Sequence, residues 1–125
     1  MNRNRIIRAA LWLSVPFNIG GAFLFAFPAS ALGQLAGLPA EVPVSYRALL
    51  AFFPLLFAGA YAWLASRPLP DRPLLALSAA GKTGAFAVVF GLWCSSAAPA
   101  VSVVAALGDL VFAAVFTWWL ISAGD

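Results

Sequence analysis

The chain is 125 residues long, 64% hydrophobic and only 9% charged, with a formal net charge of +3. Soluble domains run at about 45 to 50% apolar and about 25% charged, so so much apolar surface points to lipid as the surrounding solvent. With no histidine, one cysteine (Cys94) and one methionine at position 1, the chain lacks the ligands for haem, zinc or an iron–sulfur cluster and the second sulfur for dithiol exchange. It also has no basic stripe interleaved with aromatics that would suit nucleic acid.

A helix needs about 20 apolar residues to cross roughly 30 Å of hydrocarbon at about 1.5 Å per residue. The first such run covers residues 6–27, behind Arg3, Arg5 and Arg8. Those arginines, the apolar run and Ala29-Ser30-Ala31 imitate a secretory signal with its cleavage site. The run is longer than the usual signal core, so it is expected to remain as a span. Pro28, Gly37, Pro39 and Pro43 punctuate the connection that follows, in which residues 29–38 suit a short helix lying in the interface. The second span covers residues 45–65 and ends before Pro68, Pro70 and Pro73. The third covers residues 73–94 and the fourth residues 99–122. These runs are continuous and twice the length of barrel strands, which excludes a β-barrel. The expected fold is all-α, an integral membrane four-helix bundle forming one domain over residues 1–125, with the lipid bilayer as its partner.

Arg67 and Arg72 flank the second connection, whereas the opposite side carries only Glu41 and Arg47. The excess of arginine at the first side puts both termini on the cytoplasmic side of the cell's inner (plasma) membrane. Trp63, Trp118 and Trp119 fall towards inner helix ends and Trp93 near an outer end, as interfacial anchors would.

The two halves align with each other. Sliding span one over span three sets Leu13-Ser14 on Leu77-Ser78, Asn18 on Lys82 and Gly20 on Gly84. Span two over span four sets Phe57-Ala58 on Phe112-Ala113, Tyr61 on Phe116 and Trp63 on Trp118. Both halves start on the same side, so the reading is a bundle of two parallel-repeat helical hairpins. In this register Asn18 and Lys82 share a depth, as do Pro54 and Asp109, all near the midplane at about 14 to 18 Å from a span end.

A lone charge there costs about 2.5 to 3.5 kcal/mol, and Lys82 and Asp109 are each other's obvious partner, of opposite sign on consecutive helices. The pair reads either as a structural clamp or as a polar site that could bind a headgroup or exchange protons. Residues three, four or seven apart share a helix face, which gathers Ser14 with Asn18, Ser78 with Lys82, and Ser102 with Asp109, while Thr117 lies about two turns from Asp109 on its other side. On the second span Arg47 and Tyr61 each lie seven residues from Pro54. The candidate binding set is therefore Lys82, Asp109 and Asn18, with Arg47, Tyr61, Ser78 and Thr117; no catalytic or metal set is expected. For the hydroxyls the plainer role is a bond to a carbonyl one turn back; Arg47 is close enough to the interface to snorkel, with a phosphate or lipid contact as the alternative. Residues 76–83, ALSAAGKT, nearly spell a phosphate-binding loop, but they lie inside an apolar span whose amides are committed to helix.

With its Arg-rich start, four spans, Gly81-Lys82 in the third and Gly108-Asp109 in the fourth, the chain resembles small bacterial four-helix membrane proteins of the DoxX-like kind. The likeness covers the whole chain by topology. It implies an accessory or uncharacterised role, since some members of that grouping are subunits of quinone-linked oxidoreductases and many have no assigned activity; no cofactor is expected, with quinone or lipid as the candidate ligand. The small multidrug transporters match in size but carry an essential acid in the first span, where this chain has Asn18. The leading expectation is a binding protein for a small hydrophobic or lipid-like molecule, or an accessory subunit of a larger membrane complex. A proton-coupled transporter acting as a homodimer and an intramembrane isomerase using Lys82 and Asp109 as acid and base are the alternatives.

Overall fold

The computed structural model describes residues 2–122, and these contain five helices and no strand. Helix α1 (Arg3–Ala26) is followed by the short α2 (Ala31–Leu35), then α3 (Val44–Ser66), α4 (Arg72–Cys94) and α5 (Ala100–Ser122). The four long helices are each long and apolar enough to cross a membrane. Their limits fall within three residues of the runs expected from hydropathy, and the short interfacial stretch contracts to the five residues of α2.

Local chemistry sets these limits. Asn2, Ser30 and Asp71 cap α1, α2 and α4, each accepting a bond from a first-turn amide through its side chain. Pro16 and Pro54 sit inside α1 and α3 without ending them. At the end of α4, Ser96 is left-handed (φ 64°), while Ala97 N donates to Leu92 O and Ser96 N to Trp93 O. That is the Schellman arrangement, with a serine where glycine is usual. Gly37, at φ 82°, turns the chain out of α2 towards the start of α5, where a Cβ would strike the Pro99 and Ser102 side chains. Ser102 Oγ donates to Ala36 O at 3.0 Å, tying this linker to α5.

Packing follows the hairpins: α1 lies along α3, α4 lies along α5, and α1 also touches α5. The core gathers at the arginine-rich end, where Ile7, Leu11, Tyr61, Leu64, Leu75 and Phe116 are fully buried. Cations close this end. Arg3 Nη1 donates to Ser122 O (2.8 Å) and Arg72 Nη2 to Leu120 O (2.9 Å), satisfying carbonyls where the α5 dipole is negative. Both guanidinium groups lie over the Trp119 ring. Trp119 itself departs from the expected belt. It is buried, and its indole N–H donates to Asn4 Oδ1, whereas Trp63, Trp93 and Trp118 are exposed. Adjacent tryptophans on one helix turn differ by about 100° in direction, so Trp118 and Trp119 cannot both face outward.

Towards the opposite end the buried residues are small: Ala22, Ala51 and Ala106. They let helices approach without large side chains between them. The outward faces are apolar instead, with Leu13, Ile19, Phe52, Leu56, Val88 and Val111 all exposed.

Candidate functional site

At mid-length the four long helices are joined by one chain of polar contacts. Asn18 Nδ2 on α1 donates to the Pro54 carbonyl on α3 (3.2 Å), and Lys82 Nζ on α4 donates to Asn18 Oδ1 (3.0 Å) and to Asp109 Oδ1 on α5 (2.9 Å). Asn18 is thus read in both directions, its amide N–H₂ against a carbonyl and its oxygen against a cation, which leaves only one sensible orientation for the side chain. Among the described residues Lys82 and Asp109 form the sole ion pair.

Aromatic rings complete the lysine's surroundings. Its ammonium lies 4.9 Å from the centroid of Phe17, 5.2 Å from Tyr61 and 5.2 Å from Phe112. Ring faces are negative, so they stabilise a cation while excluding water. Phe17 also meets Phe112 edge-on. This cage needs Gly108, because a Cβ there would run into the edge of the Phe17 ring. Spacing offered a signal for Phe112, three residues beyond Asp109 on the same helix face. Nothing in the sequence singled out Phe17, which reaches the lysine from another hairpin.

The two charges are unequally covered. The Lys82 side chain is 4% exposed and that of Asp109 is 24% exposed. Asp109 Oδ2 makes no hydrogen bond to any described residue. The cluster is closed around its cation and open on its carboxylate.

The remaining candidates divide between the cluster and other places. Tyr61 belongs to the cluster through its ring. Ser78 Oγ donates to Leu74 O, and Ser14 Oγ to Ala10 O, so both hydroxyls serve carbonyls one turn back. Thr117 is exposed, and Ser102 serves the linker. Arg47 lies at the far end of the bundle, with Nη1 donating to Ala26 O at 3.2 Å. Helix α4 runs unbroken through residues 76–83, so its amides cannot cradle a phosphate. No group of three or more His, Cys, Asp or Glu side chains placed to hold a metal ion occurs among the described residues. Two surface cavities lie away from the ion pair. One, of about 400 Å³, is at the α4–α5 turn by Trp93 and Pro99, and one, of about 390 Å³, is beside Arg47.

No protein-family model, curated protein or solved structure matches the chain. None of these comparisons supports the DoxX-like resemblance.

Proposed function

We propose that this is a multi-pass integral protein of the cytoplasmic membrane whose Lys82, Asp109 and Asn18 form a midplane site for the polar end of a small hydrophobic or lipid-like molecule. Membrane insertion is supported by four apolar helices of spanning length whose outward faces carry large hydrophobic side chains. Arg3, Arg5, Arg8, Arg67 and Arg72 at one end favour both termini on the cytoplasmic side. A carboxy-terminal green fluorescent protein fusion should then fluoresce and an alkaline phosphatase fusion should be inactive; the reverse pattern would invert the topology.

A duplication of the hairpin is part of the same reading, supported by one contact in each half. Asn18 bonds Pro54 within the first and Lys82 bonds Asp109 within the second, the pairs made equivalent by the internal alignment. A superposition of α1 and α3 on α4 and α5 that misses this register would sink the duplication.

The observation that carries the binding reading is the contrast between a sealed lysine and a carboxylate with a free, accessible oxygen. A structural clamp alone gains nothing from leaving one oxygen unpaired at this depth, where an unsatisfied polar group is costly. A carboxylate only accepts, so the ligand must bring a donor: a hydroxyl, as in a quinol or lipid alcohol, or an amine. Purified in mild detergent, the protein should retain such a molecule, detected by mass spectrometry of its organic extract. The paired change Lys82→Leu with Asp109→Leu should fold and lose it. Equal retention by the paired variant, or an extract from the native protein free of any such molecule, would end this reading.

A further inference from the structure

A second site is suggested at the other end of the bundle by Arg47, which sits in the first turn of α3, where a helix dipole disfavours a cation. Part of its role is clear: Nη1 caps the last turn of α1 through Ala26 O. Most of its donors are left over. Nε is buried without any hydrogen-bond partner, and no carboxylate pairs with the guanidinium among the described residues. Beside it opens a cavity of about 390 Å³ whose other walls are Phe23, Phe27, Ala29 and Ser30. The hollow is shallow and its exposed lining almost wholly apolar, with the guanidinium at its edge, and an unneutralised planar cation so placed is matched by an anion that carries hydrocarbon with it.

We propose that this cavity holds the phosphodiester of a membrane phospholipid, its oxygens on the Arg47 guanidinium and the start of an acyl chain along Phe23 and Phe27. The height is right for that group. Arg47 and Ala26 stand where α1 ends and α3 begins, one full span from the arginine-rich end, which is the level of lipid phosphates if the four helices cross the membrane. The inference rests on that insertion and is independent of any ligand at Lys82 and Asp109. Phosphate chemistry alone would also suit inorganic phosphate. The two exposed phenylalanines favour the lipid, since a free ion gains nothing from apolar walls.

The test is native mass spectrometry of the full chain released from micelles doped with phosphatidylglycerol, with diacylglycerol, or with inorganic phosphate alone. The native protein should retain phosphatidylglycerol and neither of the others. Arg47→Gln should weaken retention by roughly ten- to a hundredfold, as expected for losing charge-assisted bonds. Ala29→Trp, which fills the hollow from an exposed position and leaves the Arg47–Ala26 bond in place, should weaken it as well, and covers the case in which Arg47→Gln fails to fold. Undiminished retention by the folded variants would overturn the proposal, as would equal binding of diacylglycerol. Retention of inorganic phosphate in place of phosphatidylglycerol would overturn the lipid assignment. The paired Lys82→Leu, Asp109→Leu variant should keep its phosphatidylglycerol, which separates this site from the midplane one.

Discussion

Asp109→Leu alone should destabilise the folded protein by about 3 to 5 kcal/mol, because it strands a buried ammonium. The Lys82 side chain is 4% exposed, and without Asp109 its remaining partners are the Asn18 oxygen and three ring faces, none of which carries a full negative charge. Lys82→Leu alone should cost less, about 2 to 3 kcal/mol, since the carboxylate left behind is a quarter exposed and is already open on one oxygen. Making both changes should cost only about 1 to 2 kcal/mol, the remainder coming from Asn18 Oδ1, which loses its donor. The expected coupling energy is therefore large and favourable, and the two single variants are unequal. Unfolding titrations in mixed micelles, with all four proteins compared, measure both quantities. Additive effects would mean that the charges do not depend on each other, and a larger loss for Lys82→Leu would mean that the cluster is open on the wrong side.

Among the glycines of the four long helices, Gly108→Ala should be the most damaging change, at about 1 to 3 kcal/mol. A Cβ at this position collides with the edge of Phe17, a ring held between Lys82 and Phe112. Moving the ring removes one face from the cation and loosens the contact between α1 and α5 at the level of the ion pair. Phe17→Leu, which withdraws the colliding ring edge, should make the added methyl group harmless. Gly108→Ala in the Phe17→Leu background should therefore cost much less than in the native protein. Thermal stability of the two single variants and the double variant decides it. By contrast, Gly20→Ala and Gly84→Ala should be close to neutral, because a Cβ at either position meets nothing within 4 Å.

Much of this architecture was legible before any coordinates. Each long helix announces itself because a lipid crossing demands an unbroken apolar run of set length, and proline and glycine mark where the runs stop. The partnership of Lys82 with Asp109 was legible too, since two opposite charges at one depth on neighbouring helices have few alternatives to each other. Asn18 entered through the internal alignment, which set it level with Lys82, and the structure brings the two to 3.0 Å.

Other readings needed the third dimension. Ser78 lies one turn from Lys82 on the same face, and its hydroxyl goes to Leu74 O, the plainer of the two roles open to it in the sequence. Thr117, about two turns from Asp109 along α5, is exposed, and Trp119 leaves the belt to fill the core. Arg47 shares a face with Tyr61 and lies at the other end of the helix from it, beside a cavity of its own.

The amino-acid sequence by itself determined the number and approximate limits of the long helices, the position of each polar group along its helix and the opposite signs of the central pair. These are properties of one chain segment at a time, set by transfer free energy and by rise per residue. Only the tertiary structure decided how each helix is turned about its axis, and hence that Phe17, Tyr61 and Phe112 enclose the lysine while Asp109 keeps a free oxygen. In a chain apolar nearly all round, hydropathy cannot choose that rotation. It is settled by which small residues allow close approach, as at Gly108, and by which polar atoms can reach one another once the helices meet.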